Sequence, residues 1–317
     1  MSSLAETQTS SLATPGRSSL WRAVWSHRSL YLMLLPGLIY FAVFRYGPLW
    51  YAQIAFKDFS PTLGVEASPW AGLKYIFEFF NSYYFSQLMA NTIIISLAKL
   101  IFGIPIAIIL ALALSETRLR FLRSSVQTIT YLPHFLSWVV MSGVLLALFS
   151  PAEGLVNKGI IGFGQAPIAF LTDPKFFVGI LVGSDVWKET GWSAILYLAA
   201  LLAIDPSLYE AAAIDGASRW QRIVHISLPG MLHVIVLVTL LRLGGILDAG
   251  FTQVFALYSL PVYSVSDIID TWVYRQGIQN FQLSVAAAVG LFKGVIGLVL
   301  VVVCNRIARR VAGAGLY

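Results

Sequence analysis

A polar stretch rich in Ser and Thr, ending at Pro15-Gly16, gives way to six long apolar runs at roughly 30–50, 91–115, 125–148, 177–204, 231–256 and 282–304. At about 1.5 Å per residue, each run coiled as a helix crosses a hydrocarbon core about 30 Å thick. The pattern predicts an all-α membrane protein of six transmembrane helices. The first run is too long for the apolar region of a signal peptide and lacks a small-residue cleavage site, so it is expected to stay as a span. Just before it, Leu20, Trp21, Val24 and Trp25 share one helical face, with Arg22, Ser26 and Arg28 between. That face suits either a short interfacial helix or a lead-in to the first span. The expected organisation is a tail at 1–28, a six-span domain at 29–310 and a closing tail at 311–317. Pro105 and Pro133 are expected to kink or end the second and third spans. Gly290, Gly294 and Gly297 give the last span a small-residue face for close helix packing, within this chain or toward a second subunit.

Composition sharpens this picture. The 317 residues are 58% hydrophobic and 11% charged, with a mean hydropathy of +0.77. A soluble domain carries about 25% charge, so an ordinary water-soluble enzyme, a disordered chain and a nucleic-acid binder are excluded. The single cysteine, Cys304, rules out a disulfide framework and any paired-cysteine metal site. Basic residues divide unevenly. One set of loops and the termini hold Arg17, Arg22, Arg28, Arg118, Arg120, Arg123, Arg219, Arg222, Arg306, Arg309 and Arg310. The other set holds Lys57, Lys74, Lys158, Lys175 and Arg275. The richer side is cytoplasmic by the positive-inside rule, so both termini are expected in the cytoplasm. No G-x-x-x-x-G-K-[ST] and no H-E-x-x-H occurs. His27, His134, His225 and His233 have no ligand spacing, so no metal or catalytic site is expected.

Charges inside the runs are the next signal, because each costs about 2.5–3.5 kcal/mol at a helix centre. Asp185, Lys188 and Glu189 fall at i, i+3 and i+4 of the fourth run, with Trp187 and Trp192 beside them. Tryptophan faces suit sugar rings and charged groups suit hydroxyls, which makes these five residues candidates for a substrate path. An internal Lys188–acid pair that locks the bundle is the alternative. Arg242 and Asp248 in the fifth run stand six residues apart, about 240° around a helix, and so need partners elsewhere or a shared cavity. Lys99 and Lys293 either pair or snorkel.

Residues 205–230, between the fourth and fifth runs, read DPSLYEAAAIDGASRWQRIVHISLPG. Asp205 caps a helix whose first turn takes Pro206. Glu210, Ala211, Ala212 and Ala213 propagate it, and Gly216 ends it in a left-handed conformation. Ser218 and Gln221 have capping-box spacing for a second helix, which Pro229-Gly230 stops. A polar helix–Gly–helix on the basic side of a membrane protein reads as a docking element.

The combination Glu210-Ala211-Ala212, Asp215-Gly216-Ala217, Ile226 and Leu228-Pro229 resembles the EAA signature of ABC importer permeases. Tyr131–Phe135, Trp187–Trp192, Asp270–Arg275 and Gly290–Phe292 extend the resemblance over most of the chain, toward carbohydrate permeases of the oligo- and polysaccharide branch. The resemblance implies the type I ABC importer permease fold and a place in a bacterial inner membrane. It implies a second homologous permease, two cytoplasmic ATPase subunits and an extracytoplasmic solute-binding protein as partners. ATP and Mg would sit on the ATPases, with no cofactor on this chain and no ATPase site of its own. The EAA loop would couple ATPase closure to alternating access, with Glu210 facing a basic residue of the ATPase. The cargo would be an oligosaccharide, acidic types such as uronate oligomers included. Two alternatives remain at this stage. One is an importer for another solute, such as a simple sugar or glycerol phosphate. The other is a secondary transporter or channel, which would have no use for a docking loop and would show internal repeats of broken helices.

Overall fold

The structure is a computed structural model that describes residues 25–312. Residues 20–24 of the expected interfacial segment and residues 313–317 of the expected closing tail lie outside the described residues. The chain divides into two units, residues 1–53 and 54–317. In the first, α1 (Arg28–Phe41) runs on through a π-helical turn at Ala42–Tyr46, and none of these side chains is buried.

The second unit holds α2 (Phe85–Glu116), α3 (Arg120–Tyr131), α4 (Trp138–Phe149), α5 (Pro174–Leu202), α6 (Pro206–Ile214), α7 (Arg219–Arg222), α8 (Leu232–Gly244), α9 (Phe251–Leu257), α10 (Ile269–Tyr274) and α11 (Leu283–Ala312). The runs at Arg28–Phe56, α2 and Leu283–Arg310 are each long and apolar enough to cross a membrane, and three bent helix pairs bring the total to six. Lys175, Asp185, Lys188 and Glu189 lower the apolarity of α5, but its 29 residues span about 43 Å.

Two of the expected continuous spans are broken. The third turns through 110° between Arg120–Phe135 and Trp138–Phe149. Pro133 sits in the intervening turn, and Ser137 starts α4 by accepting the Val140 N–H at 3.2 Å. Pro105, by contrast, lies inside an unbroken α2. The fifth span stops at Gly244 and resumes at Phe251, with Ala249 (φ 51°) and Gly250 (φ 79°) consecutively left-handed. The first break falls at Pro133, where the sequence places a kink or an end, whereas the second falls among Gly244, Gly245, Asp248 and Gly250, which the apolar average of the fifth run hides.

The main core joins α2, α5 and α8 through Ile104, Ala107, Ala111 and Leu114 against Ala194, Tyr197, Leu198, Leu201, Met231 and Val238. Small residues set the closest approaches. A Cβ on Gly191 would lie 2.1 Å from the Thr130 carbonyl oxygen, so only glycine lets α5 meet α3 there. A Cβ on Gly297 would stand 3.0 Å from the Gly244 carbonyl oxygen, while Gly290 and Gly294 face open space. Of the three glycines on that face, Gly297 therefore serves packing within the chain.

One polar stripe on α2 serves irregular backbone from the later half of the chain. The Asn91 amide donates to the Ser264 and Asp267 carbonyls at 3.1 and 3.0 Å. The Thr92 hydroxyl accepts the Ile269 N–H at 3.1 Å, and Ser96 donates to the Ile246 carbonyl. Lys99 donates to the Ala249 carbonyl at 3.0 Å. In lipid an unsatisfied backbone group costs several kcal/mol, so the Ser96 and Lys99 bonds offset the carbonyls freed where the fifth span breaks.

Beyond the spans, Asn157 is fully buried and ties the 150–168 loop together through the Phe149, Ser150 and Ile168 carbonyls and the Ile168 N–H. Asp58 accepts from Tyr75 at 2.5 Å and from Lys74 at 2.9 Å, and these two bonds hold its carboxyl below the usual range.

Candidate functional site

An open cavity of about 210 Å³ lies among α2, α5, α8 and the break in the fifth span. Ser96 and Lys99 reach it from α2, Asp185 and Glu189 from α5, Arg242 from α8, and Asp248, Ala249 and Gly250 from the break. The sequence spacing placed Arg242 and Asp248 on opposite sides of a helix. The helix ends between them, and the break carries Asp248 round to the same cavity as Arg242.

The charges in the cavity fall into two groups. Lys99 is buried against Asp185 at 3.4 Å, and it also donates to the Ala249 carbonyl and the Gln253 side chain. Gln253 is itself fully buried and donates to the Leu181 carbonyl and the Ser184 hydroxyl at 2.7 and 2.9 Å. Lys99 thus neither snorkels nor stands free: it closes the break. Glu189 is engaged by Lys188 at 3.3 Å and by His134 at 2.9 Å. Arg242 donates to the Ser193 hydroxyl at 2.8 Å, and Asp248 accepts the Phe251 N–H at 3.3 Å. Neither of these two forms an ion pair among the described residues. A Cβ on Gly103 would come within 3.2 Å of the Arg242 guanidinium, so glycine makes room for it. A guanidinium and a carboxylate outside any ion pair can bind a solute's carboxylates and hydroxyls.

Three residues that the sequence put beside the substrate path take other places. Lys188 is 6% exposed, donates to the His134 carbonyl at 2.5 Å and lies 5.6 Å over the Trp138 ring. It satisfies a carbonyl released where the third span breaks, so the internal alternative describes it. Trp192 stacks on His134 at 4.6 Å with the rings parallel within 1°, leaving that face covered. Trp187 is half-exposed and is not among the cavity-lining residues. Lys99, Ser96 and Gln253 escaped the sequence reading as site residues. A lysine eight residues into an apolar run was the available signal.

At one end of the bundle the 205–230 loop adopts the local structure its capping residues specify. The Asp205 carboxylate accepts the Ser207 N–H at 2.9 Å, and that bond holds its pKa below the ordinary value. Gly216 (φ 76°) closes α6, with the Ala217 N–H on the Ala212 carbonyl and the Gly216 N–H on the Ala213 carbonyl. These are the two bonds of a Schellman end. Ser218 and Gln221 form a reciprocal capping box. Glu210, Ala211, Asp215, Gly216 and Pro229 are exposed, and Ala212, Ala217 and Leu228 are half-buried. Ile214 is 87% exposed and Trp220 72%, an apolar surface that the motif alone did not predict. The Tyr209 hydroxyl meets the Ser227 hydroxyl at 3.0 Å and ties α6 back to the start of the fifth span. A Cβ on Gly230 would strike Ile204, which keeps that corner tight.

A helical membrane unit with a charged interior cavity and an ordered, exposed helix pair at one end defines a membrane transport subunit that works with other chains. Residues 103–313 match the family of binding-protein-dependent transport system inner membrane components. The chain is 42% identical over 288 residues to the polygalacturonan/rhamnogalacturonan transport system permease protein YteP of Bacillus subtilis (strain 168), covering 91% of this chain and 90% of that protein. It is 41% identical over 305 residues to Protein LplB of the same organism, covering 96% of each. It is also similar to a chain of the bacterial alginate ABC transporter solved with an alginate pentasaccharide-bound periplasmic protein. There the TM-score is 0.87 and the identity 38%, over 94% of this chain and 99% of that one. The chain belongs to the binding-protein-dependent transport system inner membrane component family. It is a multi-pass permease component without an ATPase site of its own, and the secondary-transporter and channel alternatives fall away.

Proposed function

We propose that this chain is one of two permeases in an ATP-driven importer that carries oligosaccharides inward by alternating access. The 205–230 loop couples it to cytoplasmic ATPases, and both termini face the cytoplasm. The observation that carries this reading is the loop: a motif-bearing helix, capped at both ends, presenting Glu210, Ala211 and Ile214 to solvent beside the arginine-rich segments. An isolated helix of nine residues is marginal in water, so its capping and its Tyr209 anchor support a part built to receive force from a partner.

The cavity supports a sugar cargo. At about 210 Å³ it is smaller than the roughly 300–1,000 Å³ of ordinary ligand pockets. That size suits one wall of a path completed by the second permease. Arg242 offers paired donors for a carboxylate, and Asp248 accepts from hydroxyls. The relatives named for polygalacturonan/rhamnogalacturonan transport and for alginate both handle acidic polysaccharides, which favours an acidic oligosaccharide over simple sugars or glycerol phosphate.

The test is ATP hydrolysis by the complex of this chain with its permease, ATPase and binding-protein partners in liposomes, with trigalacturonate and maltotriose as acidic and neutral probes. Stimulation by trigalacturonate, lost in Arg242→Met, is the expected result. Stimulation by maltotriose alone would overturn the acidic assignment. Failure of any ATPase to associate would overturn the coupling assignment.

A further inference from the structure

The break in the third span is gripped by a single turn of α5. Lys188 holds the His134 carbonyl at 2.5 Å, and the His134 Nδ1–H donates to Glu189 Oε2 at 2.9 Å. Trp192 stacks on the His134 ring, with Phe135 edge-on to the same indole at 6.0 Å. Gly191 brings the Thr130 carbonyl against the α5 backbone. Four of the five residues Lys188 to Trp192 thus act on one corner between α3 and α4, where the chain turns through 110°.

Glu189 is the member of this group that also lines the charged cavity, four residues from Asp185 on the same face. Its two oxygens are divided: Oε1 faces Lys188 and Oε2 faces His134. The pair is part-buried, with side chains 28% and 26% exposed, so a polar solute in the cavity can reach Glu189 and compete for it. The corner has no other side-chain acceptor among the described residues for the imidazole N–H. Losing Glu189 therefore leaves the imidazole N–H unpaired and removes one of the holds on the corner, with the Lys188 bond and the Trp192 stack remaining.

We propose that Glu189 and His134 form a latch through which cargo in the cavity reports to the hinge of the third span. With the cavity empty, Glu189 holds His134 and the α3–α4 corner is fixed. When sugar hydroxyls bind Glu189, the His134 bond is released and α3 moves relative to α4. His134 is a positioning residue in this scheme: it touches no cargo and acts through Glu189. The cargo half of the proposal rests on the importer reading above. The hinge half rests on the geometry alone.

The test uses the full complex in liposomes, with spin labels at Phe121→Cys and Val139→Cys in a Cys304→Ser background. Both label sites are exposed and flank the corner. His134→Phe keeps the aromatic stack on Trp192 and removes the hydrogen bond. It is expected to broaden the label-to-label distance distribution, raise hydrolysis without cargo and cut stimulation by trigalacturonate about 5-fold or more, the lower end of ordinary allosteric couplings. Glu189→Ala removes both the His134 acceptor and the cargo contact, so it should broaden the resting distance as His134→Phe does and lose the cargo response. His134→Gln, which retains a donor, should keep part of the stimulation. An unchanged distance distribution in an assembled His134→Phe complex overturns the latch. So does failure of His134→Phe and His134→Gln alike to assemble, which would make the corner purely structural. If the wild-type complex shows no response to either trigalacturonate or maltotriose while His134→Phe still broadens the distances, the cargo assignment has failed and the hinge assignment stands.

Discussion

Gly191→Ala is the substitution with the most direct consequence. The added methyl would lie 2.1 Å from the Thr130 carbonyl oxygen. An ordinary carbon–oxygen contact is about 3.3 Å, so α5 and α3 must part by roughly 1.2 Å. The obstacle is backbone on both sides, and no flexible side-chain end can yield. That retreat would stretch the Lys188–His134 bond from 2.5 Å to about 3.7 Å, beyond hydrogen-bond range. Overpacking costs about 1–3 kcal/mol, and a lost charged hydrogen bond about 1.5–3 kcal/mol. The combined effect is about 2.5–6 kcal/mol, which lowers an apparent Tm on the order of 10 °C. Thermal melting of the detergent-solubilised complex, followed by size exclusion, measures it. Gly183→Ala on the same helix is the control, because a Cβ there meets nothing within 4 Å. Equal melting of the two variants would refute the close-approach argument and, with it, the account of why the third span packs where it does.

Three further outcomes are expected. Lys99→Met leaves Asp185 without its cation and the Ala249 carbonyl without its donor, a loss of about 3–5 kcal/mol; adding Asp185→Asn should recover part of it, read as assembled protein in detergent. Glu210→Lys should abolish copurification of the ATPase while membrane insertion stays normal, and retained ATPase at wild-type ratio would count against the docking role. The Asp205 cap stabilises α6 only while the carboxylate is ionised. Because the folded-state pKa is depressed, the cap is fully present above the ordinary value of 3.8 and is lost as pH falls through the lower folded value. The protection factor of the Ser207 amide, its exchange rate relative to the intrinsic rate at the same pH, should therefore be high at pH 5 and fall in acid, whereas in Asp205→Ala it should be low at every pH.

The six apolar runs and the capped loop were legible because each rests on local information: helix length against bilayer thickness, and short-range capping chemistry. Asp205, Gly216 and Ser218 each do in space what their spacing specifies. The charged residues were legible as exceptions, and as pairs only where the partner is close in sequence. Lys188 does pair with a local acid, Glu189, whereas Asp185 pairs with Lys99 from a helix some 86 residues earlier, a partner no local spacing names. Lys188 turned on the break at His134, and Asp248 on the break at Ala249-Gly250. Pro133 and the glycines at 244, 245 and 250 mark where the chain can break but not the direction it takes afterwards, and a helical wheel drawn through either break assigns the wrong face. His134 read as an isolated histidine because its partners come from α5.

The stripe on α2 has a consequence for biogenesis. Asn91, Thr92, Ser96 and Lys99 enter the membrane early, when the carbonyls and the amide they serve, from Ile246 to Ile269, have not yet been translated. A buried lysine and asparagine must therefore wait in the bilayer or at the insertion machinery, bound to lipid headgroups or water. Conversely, the fifth run cannot settle with its break at that depth until the second is beside it. Synthesis thus leaves a window in which half of the permease is an incomplete hydrogen-bonding template, and a chain truncated before residue 246 should be handled by the cell as a misassembled membrane protein even though its early helices are themselves sound.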